Sequence, residues 1–113
     1  MSASHITTHI LDTAAGRPAP GVTVELAARS GDGWTTIATG QTDSDGRARD
    51  LGAASQPAGD YRLTFFTGDY FASQGVSTFF PEVSLVFTLA DIDEHYHVPL
   101  LLSPFAYSTY RGS

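Results

Sequence analysis

At 113 residues, with 42% hydrophobic and only 16% charged side chains, the chain is long enough for one core and too short for two. A net charge of -6 with no basic cluster argues against nucleic acid or an anionic membrane as partner. All six basic residues are arginine and cysteine is absent, which removes Schiff-base and thiolate chemistry, disulfides and Cys-ligated zinc.

The start, Met1-Ser2-Ala3-Ser4-His5-Ile6, lacks the basic and apolar regions of a signal peptide, and no apolar run is long enough to span a bilayer. A cytoplasmic protein is expected. Residues 4–11 alternate as a strand, with Ile6, Thr8 and Ile10 on one face and His5, Thr7, His9 and Leu11 on the other. If the isoleucines point into a core, His9 points out. The Gly- and Pro-rich stretch 15–21 interrupts regular structure. Val22, Val24, Leu26 and Ala28 then mark the inner face of a second strand, and Ser30-Gly31-Asp32-Gly33 turns the chain into a third, Trp34 to Thr42.

Asp43-Ser44-Asp45-Gly46 reads as a turn delivering Arg47, because the further ligands of a calcium loop are missing. Past a small-residue loop, Gly52 to Gly59, the segment 60–67 is strand-like with Tyr61, Leu63 and Phe65 on one face. Asp69 as N-cap and Gly75 as the C′ stop frame one short helix. Val83, Leu85, Phe87 and Leu89 mark another strand. The acidic residues Asp91, Asp93 and Glu94 lead into a closing hairpin around Ser103-Pro104. Seven to eight short strands with one brief helix give an all-β class, an antiparallel β-sandwich, and residues 1–113 read as a single domain.

Within the closing hairpin, Tyr96, Val98, Leu100 and Leu102 form the better core face. His95 and His97 then share the outer face, roughly 7 Å apart. Three readings compete for these histidines. They are ordinary surface residues, the commonest case for a single histidine; or they bind zinc with His9 as a third ligand, though no carboxylate shows ligand spacing; or a neutral histidine activates water while an arginine such as Arg47 offsets developing negative charge. The last needs no metal, thiol or lysine. The end of the chain, Tyr110-Arg111-Gly112-Ser113, is either a frayed polar tail or a recognition element with a hydroxyl, a guanidinium fork and a carboxylate.

Taken together, His9-Ile-Leu-Asp12 with Gly16-x-Pro18-Ala19, Thr42-Asp-x-Asp-Gly-Arg47, Gly68-Asp-Tyr-Phe71, Phe79-Phe-Pro-Glu82, and His95-Tyr-His-Val-Pro-Leu-Leu-Leu-Ser103 followed by Tyr110-Arg-Gly-Ser113 resemble the 5-hydroxyisourate hydrolases, or transthyretin-related proteins. The N-terminal phrases are weakly specific; the C-terminal tetrapeptide with the upstream His-x-His is highly specific. The resemblance implies a transthyretin-like sandwich assembled as a homotetramer, a dimer of dimers with sites where dimers meet. It implies hydrolysis of 5-hydroxyisourate to 2-oxo-4-hydroxy-4-carboxy-5-ureidoimidazoline in urate degradation, without cofactor or metal. Matched by position, His9, Arg47, His97 and Ser113 are the expected catalytic residues, and His9, Arg47, Tyr110, Arg111, Gly112 and Ser113 the expected substrate contacts. The alternative is a non-catalytic small-ligand binding module of the transthyretin type; a monomeric, inert accessory sandwich is a further possibility.

Overall fold

The computed structural model describes residues 3–113; Met1 and Ser2, the first residues of the expected leaderless start, lie outside the described residues. The elements in order are β1 (Ile6–Asp12), β2 (Arg17–Pro18), β3 (Thr23–Ser30), β4 (Gly33–Gln41), β5 (Arg47–Ala48), β6 (Gly59–Phe65), α1 (Thr67–Ala72), β7 (Val83–Leu89), β8 (Tyr96–Ser103) and β9 (Ala106–Thr109). One sheet runs β2-β1-β8-β9 with β5 also paired to β1, and the other runs β4-β3-β6-β7. The two-residue β2 and β5 were not expected as strands; they are short clips on the edge of β1.

The alternation of apolar residues decides which faces meet. Ile6 and Ile10 from β1 and Leu100 and Leu102 from β8 pack against Val24, Leu26, Leu63 and Phe65 from the opposite sheet, all 0–1% exposed. Burying a side chain of this size contributes about 1.5–3 kcal/mol, so these residues fix both sheet faces, and the polar residues between them must turn outward. Ala28 packs at the margin of this core as expected. A bulge after Leu26 leaves Ile37 of β4 without an opposite residue, so the β3–β4 ladder slips by one position.

Two features depart from the sequence reading. The sandwich is not wholly antiparallel, because β1 and β8 run parallel with Thr7 beside His97 and His9 beside Pro99. A parallel neighbour needs a long crossover, and here the whole second sheet serves as that connection. Asp69 lies inside the first turn of α1, and Phe66 occupies the N-cap with no side-chain hydrogen bond. A cap is unnecessary because the Gly68 N–H donates to the Pro81 carbonyl at 2.8 Å, which satisfies one of the free amides at the helix start. Gly75, at φ +67°, ends the turn one residue beyond the expected C′ place, while the Val76 N–H returns to the Phe71 carbonyl.

The turn that delivers Arg47 is built around one carboxylate. Asp43 Oδ1 accepts from the N–H groups of Asp45 (2.9 Å) and Arg47 (3.0 Å), and the hydrogen bond from Arg47 leads the causes that hold this exposed carboxyl below its usual pKa. Gly46 sits in the left-handed region at φ +75°, where an added Cβ would lie 2.4 Å from the Ile10 carbonyl oxygen. Gly46→Ala therefore combines backbone strain with a collision against β1, and a loss of about 2 kcal/mol or more is expected in urea unfolding. An unchanged midpoint would show that the turn tolerates a side chain and does not pin Arg47.

Candidate active site

β1, β5 and β8 bring the expected residues together because their registers interlock. His9 pairs with Arg47 across β1 and β5, and cross-strand partners project to the same side of a sheet. Ile10 and Ala48, the next residues along, are buried in the core, so His9 and Arg47 face outward, both half-buried. On β8, His97 occupies the same outer face, with Tyr96 and Val98 turned inward.

Each histidine has one ring nitrogen committed. His9 Nε2 lies 2.9 Å from the Asp45 carbonyl oxygen, which can only accept, so Nε2 carries the hydrogen and neutral His9 offers Nδ1. His97 Nδ1 lies 2.8 Å from Thr7 Oγ1, and Nε2 has no hydrogen-bond partner among the described residues. Burial, followed by the positive charges of Arg47, His9 and His95, holds His97 below the ordinary histidine pKa. The ring is therefore neutral at pH 7 and able to accept a proton, although Arg47 stands near enough to act on it.

The C-terminal segment is divided between the two faces. The Gly112 N–H donates to the His97 carbonyl at 2.8 Å, forming an isolated bridge that lays the tail alongside β8. A Cβ on Gly112 would lie 2.7 Å from His97 Cδ2, so the tail edges directly against the ring. Arg111, one residue earlier, projects the other way. Its guanidinium lies 4.4 Å over the Tyr96 ring and pairs with Glu94 at 2.9 Å. Tyr110 and Ser113 are exposed; with His95, Arg111 and Gly112 they line a shallow depression beside the histidine face. The structure thus groups His9, Arg47, His97 and Gly112, leaves Tyr110 and Ser113 at the rim, and holds the Arg111 guanidinium over Tyr96 and against Glu94, where it borders both the depression and the space behind it.

On that opposite side a cavity of about 560 Å³ opens between β7 and the C-terminal segment, lined by Leu85, Phe87, Tyr96, Val98, Tyr110 and Arg111 among others. Of the expected catalytic residues, only His97 lines it. The open face holding His9 and Arg47 has the chemistry. Among the described residues no three His, Cys, Asp or Glu side chains lie close enough to hold a metal ion, so the zinc arrangement considered for His9, His95 and His97 has no counterpart there.

Across nearly the whole chain, residues 6–112 match the profile of the HIUase/Transthyretin family. The chain belongs to this family. A 5-hydroxyisourate hydrolase of Salmonella dublin is 52% identical over 109 residues, covering 96% of this chain and 80% of the relative. Among solved structures, the 5-hydroxyisourate hydrolase of Klebsiella pneumoniae superposes with a TM-score of 0.85 at 41% identity, covering 96% of this chain and 98% of its own. Transthyretin from Sparus aurata superposes with a TM-score of 0.90 at 38% identity over 95% of both chains. The HIUase/Transthyretin fold thus serves proteins named as an enzyme and proteins named as transthyretin, and the backbone alone does not separate the two.

In this family member two residues outside the expected set belong to the site's framework. Thr7, 5% exposed, touches both His95 and His97 through its hydroxyl. His5, also 5% exposed, accepts the Gln56 N–H at Nδ1 and donates from Nε2 to the Glu94 carbonyl, fixing the backbone just before His95. Alternation places both on the face of His9, but only the long-range pairing of β1 with β8 reveals their partners.

Proposed function

We propose that this chain is a 5-hydroxyisourate hydrolase, a single domain over residues 1–113 acting in the cytoplasm. It opens its substrate to 2-oxo-4-hydroxy-4-carboxy-5-ureidoimidazoline in urate degradation without a metal. The observation that carries the proposal is a neutral, half-buried His97 on the same sheet face as His9 and Arg47, each histidine with one uncommitted nitrogen. The names borne by the Salmonella and Klebsiella relatives support the substrate.

In the proposed reaction a water loses a proton to one of the two imidazoles as its oxygen adds to the ring carbonyl carbon. Arg47 offsets the negative charge that builds on the carbonyl oxygen. When the tetrahedral centre collapses, the C–N bond breaks, a carboxylic acid forms, and the freed nitrogen takes up the proton the imidazole had gained. Gly112 leaves room for the ring of His97, while Tyr110 and Ser113 contact substrate at the rim. Arg111, held by Glu94 and Tyr96, lines the same depression and contacts substrate from there.

A homotetramer, a dimer of dimers, is part of the same reading. β7 and β9 are unpaired sheet edges, and Phe79, Val86 and Phe105 beside them are 58–70% exposed, a combination that in isolation favours edge-to-edge association. A non-catalytic carrier is the second reading, favoured by the Sparus aurata transthyretin match and by the largely apolar 560 Å³ cavity. Ultraviolet absorbance of freshly generated 5-hydroxyisourate separates the two. Added protein is expected to accelerate the decay well beyond the spontaneous rate, with no loss after treatment with a chelator. Decay at the spontaneous rate would leave the carrier reading, and loss on chelation would defeat the metal-free mechanism.

A further inference from the structure

Thr7 Oγ1 stands 2.8 Å from His97 Nδ1 and 2.8 Å from His95 Nε2, so one hydroxyl joins two imidazoles. The parallel register sets Thr7 beside His97, and His95, two residues earlier on β8's lead-in, falls on the same side. A threonine hydroxyl has a single proton. Its oxygen could accept from both rings, but among the described residues the hydroxyl has no acceptor other than these two nitrogens, so with both rings neutral its proton goes to one of them and the chain of contacts points one way or the other. Either His97 Nδ1–H donates to Thr7, which donates to His95, or His95 donates to Thr7, which donates to His97. The first arrangement leaves His97 Nε2 with its lone pair free; the second leaves Nε2 protonated.

We propose that Thr7 is a positioning residue that sets the tautomer of His97 and relays its proton to His95, the exposed end of the chain. The proposal rests on the hydrolase reading and assigns His97 as the water-activating base. As His97 Nε2 takes a proton from water, its Nδ1 proton passes to Thr7 Oγ1. The Thr7 proton passes to His95 Nε2, and His95 releases its Nδ1 proton to solvent. The reverse sequence restores all three groups when Nε2 donates to the leaving nitrogen, so protons balance over the cycle.

The electrostatic setting favours such a route. Arg47 on β5, His9 on β1 and His95 beside β8 all oppose a positive charge on half-buried His97. No carboxylate offsets them: the C-terminal segment sets uncharged Gly112 against the ring, the Ser113 carboxylate is not among the groups acting on His97, and the Glu94 carboxylate is engaged with Arg111. Moving the proton to an exposed imidazole removes the charge from the site and places it in water.

The test uses Thr7→Val, Thr7→Ser and His95→Asn in the full chain. Thr7→Val keeps the β-branched shape that a buried strand position requires and removes the hydroxyl. Expected are a fall in kcat of about 10-fold or more with KM little changed, near-complete recovery in Thr7→Ser, and a similar fall in His95→Asn. The double variant Thr7→Val/His95→Asn should be no slower than either single variant, because the two residues act as one unit. Wild-type kcat in Thr7→Val, or additive losses in the double variant, would overturn the relay. Long-range ¹H–¹⁵N NMR of the His97 ring gives a readout independent of turnover. The wild-type ring should be the Nδ1–H tautomer, and Thr7→Val should shift it toward Nε2–H; identical ring-nitrogen shifts in both would overturn the proposal even if the chain proved not to be a hydrolase. A relay-type spectrum in a protein without turnover would instead overturn the hydrolase reading alone.

Discussion

Replacing His97 by Asn is expected to lower kcat for 5-hydroxyisourate opening by about 10²–10⁴-fold, the range typical of losing a positioned general base. The fold should survive, because the His97 position is only half-buried and its link to the tail runs through the backbone carbonyl rather than the ring. Asparagine can still hydrogen-bond Thr7 but cannot take up the water's proton. The pH profile of the wild-type enzyme gives a second check. Burial and the positive neighbours shift His97 below the ordinary histidine value of about 6.5, so the neutral, active form persists at pH 7. kcat/KM should then fall only as the pH drops through that lowered value, and His97→Asn should abolish this acid limb. Full hydrolysis by His97→Asn, measured alongside a thermal melt, would remove the centre of the proposed mechanism.

Gly112→Ala is expected to cost about 100-fold in kcat with little effect on unfolding, as a displacement near 1 Å at a reacting group can do. The glycine is not there for its backbone: its φ lies outside the left-handed region, so alanine meets no conformational barrier. What it lacks is space. The new Cβ would stand 2.7 Å from His97 Cδ2 and 3.3 Å from Pro99 Cγ, and the ring is held on its other side by Thr7. Either the imidazole tips away from His9 and Arg47 or the tail lifts off β8, and both disturb the site. Wild-type turnover in Gly112→Ala would mean that the bridge between Gly112 and His97 has no role in placing the ring.

Much of this arrangement was legible in the chain because it depends on local periodicity. Ile6, Thr8 and Ile10 against Thr7 and His9, and Tyr96 and Val98 against His97, sort by alternation alone, and burial of the first set in each pair follows. Asp43 and Gly46 announce the turn before Arg47 through their own chemistry. Non-local facts could not be read this way. Nothing in β1 or β8 by itself states that they lie parallel, and without that register Thr7 has no visible link to either histidine. Arg111 and Gly112 form part of one tetrapeptide in the sequence, yet strand alternation sends the guanidinium over Tyr96 and leaves the glycine beside His97. The helix starts before Asp69 for a similar reason, since its free amide is met by Pro81 rather than by a neighbouring side chain.

The parallel seam between β1 and β8 also bears on how the molecule folds. Thr7 and His97 are 90 positions apart, so their contact closes a loop containing nearly the entire polypeptide. Non-local pairing of this kind is entropically late, since the chain loses its freedom before the contact rewards it. The hairpins of the second sheet can form from neighbouring segments, whereas the histidine face has no existence until β8 docks against β1. A partly folded chain therefore holds every residue of its site without their geometry, and competence waits on the pairing of β8 with β1.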